Sequence, residues 1–343
     1  MWRIPHGVKL EQMKGPSLEK PIVTLAESAK KQEQSLFKLP ERKNSAPMII
    51  SAVKQAGVID ETDGKSLYGK LLIFKEKKTE LLAACCFDDD PYTSSSEAVF
   101  KENRKKVLSG LGYAAKACGA KGTAAIVGRS GISGNVIGAG KVKIIEAPGR
   151  YPAIAIAKQK LGLGERLGII GAQACAAVYD AVKNRKPQSD TVVTVAGDGA
   201  SRWVNCRVKI GTPIKEVLDG LHGNYRHTVA AGSSITGRMV EDLSEPVKAD
   251  TRLLLVLKKE RAKNVFPCIG CGKCKNACTQ GIVPWAVFKE VESAKVDFLR
   301  LPNVQRCIGC AACNVVCPSG IDLLSAVKKA AEIKKSGDIY ATV

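Results

Sequence analysis

The sequence predicts an α/β protein: a mostly parallel sheet, a small insert of strands around one helix, and a helical, cysteine-dense C-terminal module. Three observations carry this prediction. Strand-sized apolar runs alternate with amphipathic helical stretches through residues 47–188, the order that builds a parallel sheet with helices on its faces. A compact block of strands around one helix occupies 189–250. Eight of the 13 cysteines then fall between Cys268 and Cys317.

Taken in order, residues 1–46 are Lys-rich and interrupted by prolines. They read as an N-terminal arm with one short helix over 25–36. Residues 48–56 have helical spacing and stop at Gly57, after which Asp60-Glu61-Thr62-Asp63-Gly64 forms an acidic loop. The apolar runs 71–74 and 81–86 read as strands, the second ending in the vicinal pair Cys85-Cys86. A loop, Phe87-Asp88-Asp89-Asp90-Pro91-Tyr92, leads into a long amphipathic helix over 95–118. Strands at 124–127, 141–145 and 167–170 and helices at 154–161 and 172–182 complete the domain 47–188. Strands at 190–197 and 206–210 and a helix at 214–221 give residues 189–250 a β-grasp-like pattern. The final domain, 251–343, opens with a strand at 252–257. It holds a helix over 285–298 between the two cysteine runs and closes with an amphipathic helix over 321–333.

Length and charge narrow the function classes. The chain has 343 residues, enough for two or three domains. Lysine and arginine outnumber aspartate and glutamate by 53 to 33, a formal charge of +20, which favours acidic partners. The cations are scattered and not interleaved with aromatics, so nucleic acid is not expected as a partner. The N-terminus has no apolar stretch of signal-peptide length, and no run reaches the roughly 18 apolar residues of a membrane span. A soluble, cytoplasmic protein without membrane insertion is therefore expected.

The cysteine runs carry the chemistry. Cys268-Ile-Gly-Cys271-Gly-Lys-Cys274-Lys-Asn-Ala-Cys278 and Cys307-Ile-Gly-Cys310-Ala-Ala-Cys313-Asn-Val-Val-Cys317-Pro318 each have C-x2-C-x2-C-x3-C spacing. This is the bacterial two-cluster ferredoxin pattern, in which the fourth cysteine serves the other cluster. One [4Fe–4S] cluster is thus assigned to Cys268, Cys271, Cys274 and Cys317, the other to Cys307, Cys310, Cys313 and Cys278. Three thiolates from one tight loop reach three corners of a cube, and the fourth corner must be reached from another segment. A zinc pair is the competing reading, but zinc does not call for triplets with a distant fourth ligand. Disulfides do not suit so dense a run in a chain without a secretory signal.

Three stretches resemble the RnfC family of electron-transfer proteins. Thr194-Val-Ala-Gly-Asp198 followed by Arg207-Val-Lys-Ile-Gly-Thr-Pro-Ile214 resembles its soluble-ligand-binding β-grasp segment, which also precedes a two-cluster module. Asp90-Pro-Tyr92 and the following helix resemble its flavin-domain loop. The likeness covers about residues 48–335. It implies an RnfC/NuoF-like, flavin-domain-derived α/β core, the β-grasp insert and the ferredoxin-like module. Within the family the chain is most similar to the PrdC group, associated with D-proline reductase and often containing selenocysteine. The implied partner is an acidic redox protein, a ferredoxin or a reductase such as D-proline reductase.

The chain also departs from that family. The glycine-rich loop that cradles the flavin phosphate is replaced by Asp60-Glu61-Thr62-Asp63-Gly64, and a later Gly-Gly-Glu-Lys run by Ala153-Ile-Ala-Ile-Ala157. Two carboxylates repel a phosphate, so FMN is not expected. Cys85 and Cys86 sit beside this vacated place. They are candidate redox residues, expected to be exposed and thiolate-rich, with buried packing as the alternative. Cys118, Cys175 and Cys206 are expected to be structural. The glycine-rich stretch 128–140 lacks dinucleotide-loop spacing and reads as a surface loop, and His6, His222 and His227 read as isolated surface residues. The expected function is electron transfer through two clusters to a partner reductase, with a Cys85/Cys86 exit. A flavin-dependent NADH or ferredoxin oxidoreductase component and a non-catalytic docking component stay open as alternatives.

Overall fold

The computed structural model describes residues 22–24, 45–128, 142–221, 228–258, 264–293, 295–297, 301, 303–336 and 340–342. The expected helix over 25–36, all of the glycine-rich stretch 128–140 but its first residue, and all three histidines lie outside them. The described residues fall into two compact units, one within 9–259 and one within 260–343.

In the first unit, four parallel strands form a sheet in the order Val142–Glu146, Gly122–Val127, Leu81–Cys86, Leu167–Gly171. Strand alternation sends Leu82, Ala84 and Cys86 into one core and Ala83 and Cys85 into another. The first core is the larger. It packs Phe100, Leu111 and Cys175 from three helices, and full burial of each large side chain there stabilises by about 2–3 kcal/mol. The helices Arg104–Cys118 and Ala172–Tyr179 touch backbone to backbone, because a Cβ at Gly110 would lie 1.8 Å from the Cys175 carbonyl oxygen. The second core is thinner and is closed by Ala153 and Ala157 of the helix Ala153–Leu161.

Two local expectations are corrected here. The run over 71–74 is no strand: it lies inside the helix Leu67–Glu76. Leu67 and Leu71, four residues apart, are fully buried, while Leu72 and Ile73 are 40% and 50% exposed. That is a helical stripe, which a short apolar run conceals. The single helix expected over 95–118 is two helices, Ser95–Glu102 and Arg104–Cys118, broken where Asn103 leaves helical geometry at φ −130°.

A second sheet orders Val23–Thr24, Val204–Lys209, Asp190–Ala196, Leu253–Leu257, Thr228–Ala231 and Arg238–Met239. Asp190–Ala196 and Leu253–Leu257 run parallel at its centre, with antiparallel neighbours on either side. The helix Ile214–Asp219 covers one face through Ile214, Val217 and Leu218. The strand Leu253–Leu257 therefore belongs to this sheet, and the expected boundary at 250/251 moves to 259/260.

In the second unit, the helices Pro284–Glu292 and Leu323–Ser336 share a core of Ile282, Val287, Leu301, Val304, Val327 and Ala330. The former stops well short of the expected residue 298. A short helix follows each cysteine loop: Lys273–Ala277 and Ala312–Val316. The strands Lys295–Asp297 and Tyr340–Thr342 pair antiparallel.

Candidate metal centres and a filled anion niche

Each cysteine run forms a tight loop leading into a short helix. Gly270, Gly272 and Gly309 take φ near +70°, the left-handed geometry that lets the chain turn between ligands. The first loop brings Cys268, Cys271 and Cys274 around one cavity, and Cys317 from the second run lines the same cavity. Trp285, Ile321 and Leu323 supply apolar walls. Cys274 and Cys317 are buried in a shared small core, while Cys268 and Cys271 are exposed.

The other four cysteines also meet. Cys278 and Cys307 pack on the same core between the two long helices. Burial pushes the Cys313 thiol up to about 12, with Cys310, Cys307 and Cys278 adding to the shift. Burial likewise raises Cys310, and Cys307 and Cys278 again contribute. The influence of Cys278 and Cys307 on the Cys310 and Cys313 thiols reflects their proximity. A metal would displace their protons, since only thiolates coordinate. The Gly309 N–H points at the Cys307 sulfur at 3.5 Å. Two sets of four thiols, a backbone N–H on sulfur and apolar walls fit a pair of [4Fe–4S] groups.

Cys85 and Cys86 are placed differently from expectation. They are 2% and 0% exposed, not open to solvent. Burial raises both thiols well above the usual range; Asp89 and Asp88 push Cys85 further, and Cys85 and Glu61 push Cys86. They are thiols at neutral pH, not thiolates. The Cys85 thiol donates to the Phe87 carbonyl at 3.4 Å. The two sulfurs enter opposite cores, so they cannot close on each other without unpairing the strand. Cys118, Cys175 and Cys206 are buried, as packing residues should be.

The acidic loop is the feature that sequence reasoning read only in part. Its charge was legible; its destination was not. Asp60, fully buried, accepts the Gly171 N–H at 3.0 Å and an ion pair from Lys70 at 2.5 Å. Asp63 takes the same lysine at 3.1 Å. Glu61, 2% exposed, accepts the N–H groups of Gln173 at 2.7 Å and Ala174 at 2.9 Å, at the start of the helix Ala172–Tyr179. A Cβ on Gly171 would lie 2.1 Å from that carboxyl group, so glycine is what admits Glu61. Burial raises the Glu61 carboxyl to about 7, with Asp60 adding and the amide bonds opposing.

The next loop repeats the device. Asp88 accepts Ser96 N–H at 2.8 Å, capping Ser95–Glu102, and lies 3.8 Å from Arg252. Asp90 accepts Ser234 N–H at 2.6 Å and the Ser233 hydroxyl at 2.7 Å. A helix N-terminus with a buried lysine is a natural cradle for phosphate. Here Asp60, Glu61 and Asp63 occupy both the amides and the lysine. The residues present do not fit a flavin phosphate in this niche.

The described residues contain no helix long and apolar enough to cross a membrane. The family model for a 4Fe-4S dicluster domain matches residues 267–321, so such a domain is present. The chain is 26% identical over 291 residues to the C component of the ion-translocating oxidoreductase complex of Pseudomonas aeruginosa, a match covering 78% of this chain and 38% of that protein. The corresponding component from Rhodobacter capsulatus is 24% identical over 289 residues, covering 74% and 54%. The C component of the proton-translocating ferredoxin:NAD(+) oxidoreductase complex of Clostridium ljungdahlii is 24% identical over 264 residues, covering 70% and 57%. These similarities support an RnfC-like chain, and the matches span between 38% and 57% of those three relatives. Among solved structures, an NAD+-reducing [NiFe]-hydrogenase in the H2-reduced state superposes with a TM-score of 0.52 at 13% identity, covering 87% of this chain and 63% of that one. That likeness shows a shared mixed α/β fold.

Proposed function

We propose that this chain passes electrons between a cellular donor and a partner reductase through two [4Fe–4S] clusters, and that it does so without flavin. The observation that carries the reading is the cavity shared by Cys317 with Cys268, Cys271 and Cys274. Cys278 with Cys307, Cys310 and Cys313 would hold the second group. When bound, each group takes up and releases one electron, at a potential set by its surroundings. The chain's own residues would tune that potential: Gly309 N–H directs positive charge at sulfur, and Trp285, Ile321 and Leu323 give the first site an apolar wall on its buried side. Thiolate ligands suit a reducing compartment, so we place the protein in the cytoplasm.

The resemblance to the PrdC group supports D-proline reductase as acceptor. The sheet holding Asp190–Ala196 and Leu253–Leu257 supports a β-grasp reading of its segment, with a docking role. Cys85 and Cys86, as buried thiols on opposite faces of the sheet, are assigned to packing and not to an exit relay. A flavin-dependent NADH or ferredoxin oxidoreductase of the RnfC type is the second reading. The shared α/β fold favours it, and the carboxylates at Gly171, Gln173 and Ala174 oppose it.

The test is electron delivery from a reduced ferredoxin, through the purified holoprotein, to D-proline reductase. Delivery is expected, and Cys85→Ala and Cys86→Ala should retain it within about twofold. No delivery from any ferredoxin would sink the electron-transfer reading. A large loss in either cysteine variant, with iron content intact, would restore the relay.

A further inference from the structure

We infer that the face around Cys268 and Cys271 is the docking surface for an acidic one-electron carrier protein, and that the Cys307 side is not. The inference rests on the electron-transfer reading above and adds where on the C-terminal unit the partner sits.

The two cysteine loops have the same spacing but different surroundings. At the first, residues 264–271 are exposed throughout, and Val265, Phe266 and Ile269 are 63%, 58% and 69% open. These side chains are not simply loose. Phe266 N–H donates to the Ser319 carbonyl at 2.8 Å, and the Ser319 hydroxyl donates to the Pro267 carbonyl at 2.8 Å. The segment is thus tied down on its backbone while presenting apolar side chains outward. Large exposed hydrophobics clustered beside a functional centre mark an interaction surface. At the second loop only Ile308 is comparably exposed, at 50%, and its neighbours Val304, Ala311 and Ala312 are buried.

Charge decides the kind of partner. Among the described residues 264–289 the charged side chains are Lys273, Lys275 and Lys289, with no aspartate or glutamate. Lys273 and Lys275 are exposed on the short helix Lys273–Ala277. Lys289 lies 5.3 Å over the ring of Trp285, which lines the first cavity. Near the second loop the exposed charges Arg306, Lys328 and Lys329 are also basic, and Asp322 sits between Ile321 and Leu323 of the first cavity's wall, so charge selects an acidic partner and the exposed apolar side chains select the first loop. An apolar centre with a basic rim fits a protein whose own redox centre is ringed by carboxylates. Exposure of Cys268 and Cys271 lets such a carrier approach closely. One electron then leaves the reduced carrier and enters this chain, with no bond made or broken.

The test uses the full chain loaded with both clusters and an acidic, low-potential ferredoxin as probe. Binding of the oxidised ferredoxin is measured by surface plasmon resonance across a salt series, and electron uptake from the reduced ferredoxin by stopped flow. The Lys273→Glu/Lys275→Glu double variant and Ile269→Asn should each weaken binding and slow uptake about tenfold or more, with iron content unchanged. The lysine variant should also flatten the salt dependence. Arg306→Glu, the matched charge reversal beside the second loop, should change both by less than about threefold. Unchanged binding in the first two variants would overturn the inference. So would a larger loss in Arg306→Glu, or a face that sedimentation shows to be covered by a second copy of this chain. If wild-type protein binds the ferredoxin but takes up no electron, the electron-transfer reading fails while the docking surface stands.

Discussion

The Glu61 carboxylate accepts the backbone N–H groups of Gln173 and Ala174 at 2.7 and 2.9 Å, and Gly171 leaves the space it fills. A side chain from one loop thereby satisfies orphan amides of a helix more than 100 residues later in the chain. Asp60 does the same for Gly171 N–H and neutralises Lys70. What a phosphate would need in this niche has been taken internally.

Gly171→Ala should therefore act through Glu61. The new methyl group would expel the carboxylate and leave two buried amides without partners, costing about 1–3 kcal/mol. Denaturant unfolding measures this. In the Glu61→Ala background, the same Gly171→Ala change should cost much less, because the group it displaces is gone. Full additivity of the two changes would show that they do not act through each other.

Stability should also depend on pH through Glu61. Its folded value is raised to about 7 from an ordinary 4.5, so the native state holds the extra proton between those values. Stability then falls as pH rises through that window, by at most about 3 kcal/mol. Asp88, raised by burial from 3.8 to about 6, acts in the same direction. Glu61→Gln should flatten the fall in Tm between about pH 5 and 8 without abolishing it, since Asp88 remains. An unchanged slope would show that Glu61 does not titrate there.

If ligands are shared crosswise, as proposed, paired substitutions have distinct outcomes. Cys268→Ala with Cys317→Ala removes two ligands of one cluster and should cost about four irons of eight. Cys268→Ala with Cys278→Ala, both in the first run, strikes both clusters and should cost nearly all of them. Iron analysis and electron paramagnetic resonance of the reduced proteins report the counts. The opposite pattern would mean that each run serves its own cluster.

Much of this was legible from the sequence where spacing is chemistry. The dicluster module was legible from the cysteine spacing, and the meeting of Cys317 with Cys268, Cys271 and Cys274 at one cavity is in line with the expected crosswise pairing. The central parallel strands Leu81–Cys86 and Leu167–Gly171 were legible because each is a short apolar run next to helical stretches. Leu72 and Ile73 misled because four apolar residues fit a strand or a helix, and only the burial of Leu67 and Leu71 distinguishes them. The strand Leu253–Leu257 was found but assigned to the wrong unit, since its partner Asp190–Ala196 lies some 60 residues earlier and pairing across that distance leaves no local mark. The burial of Cys85 and Cys86 follows from their place on a central strand, covered on both faces. Glu61 escaped for the same reason: its partners lie beyond residue 170.

Anaerobic analysis of the purified protein for iron, acid-labile sulfide, zinc and flavin tests the central claim most directly. The account predicts about eight irons and eight sulfides per chain, with neither zinc nor flavin. A colourless, zinc-loaded protein, or one mole of tightly held FMN per chain, would contradict it.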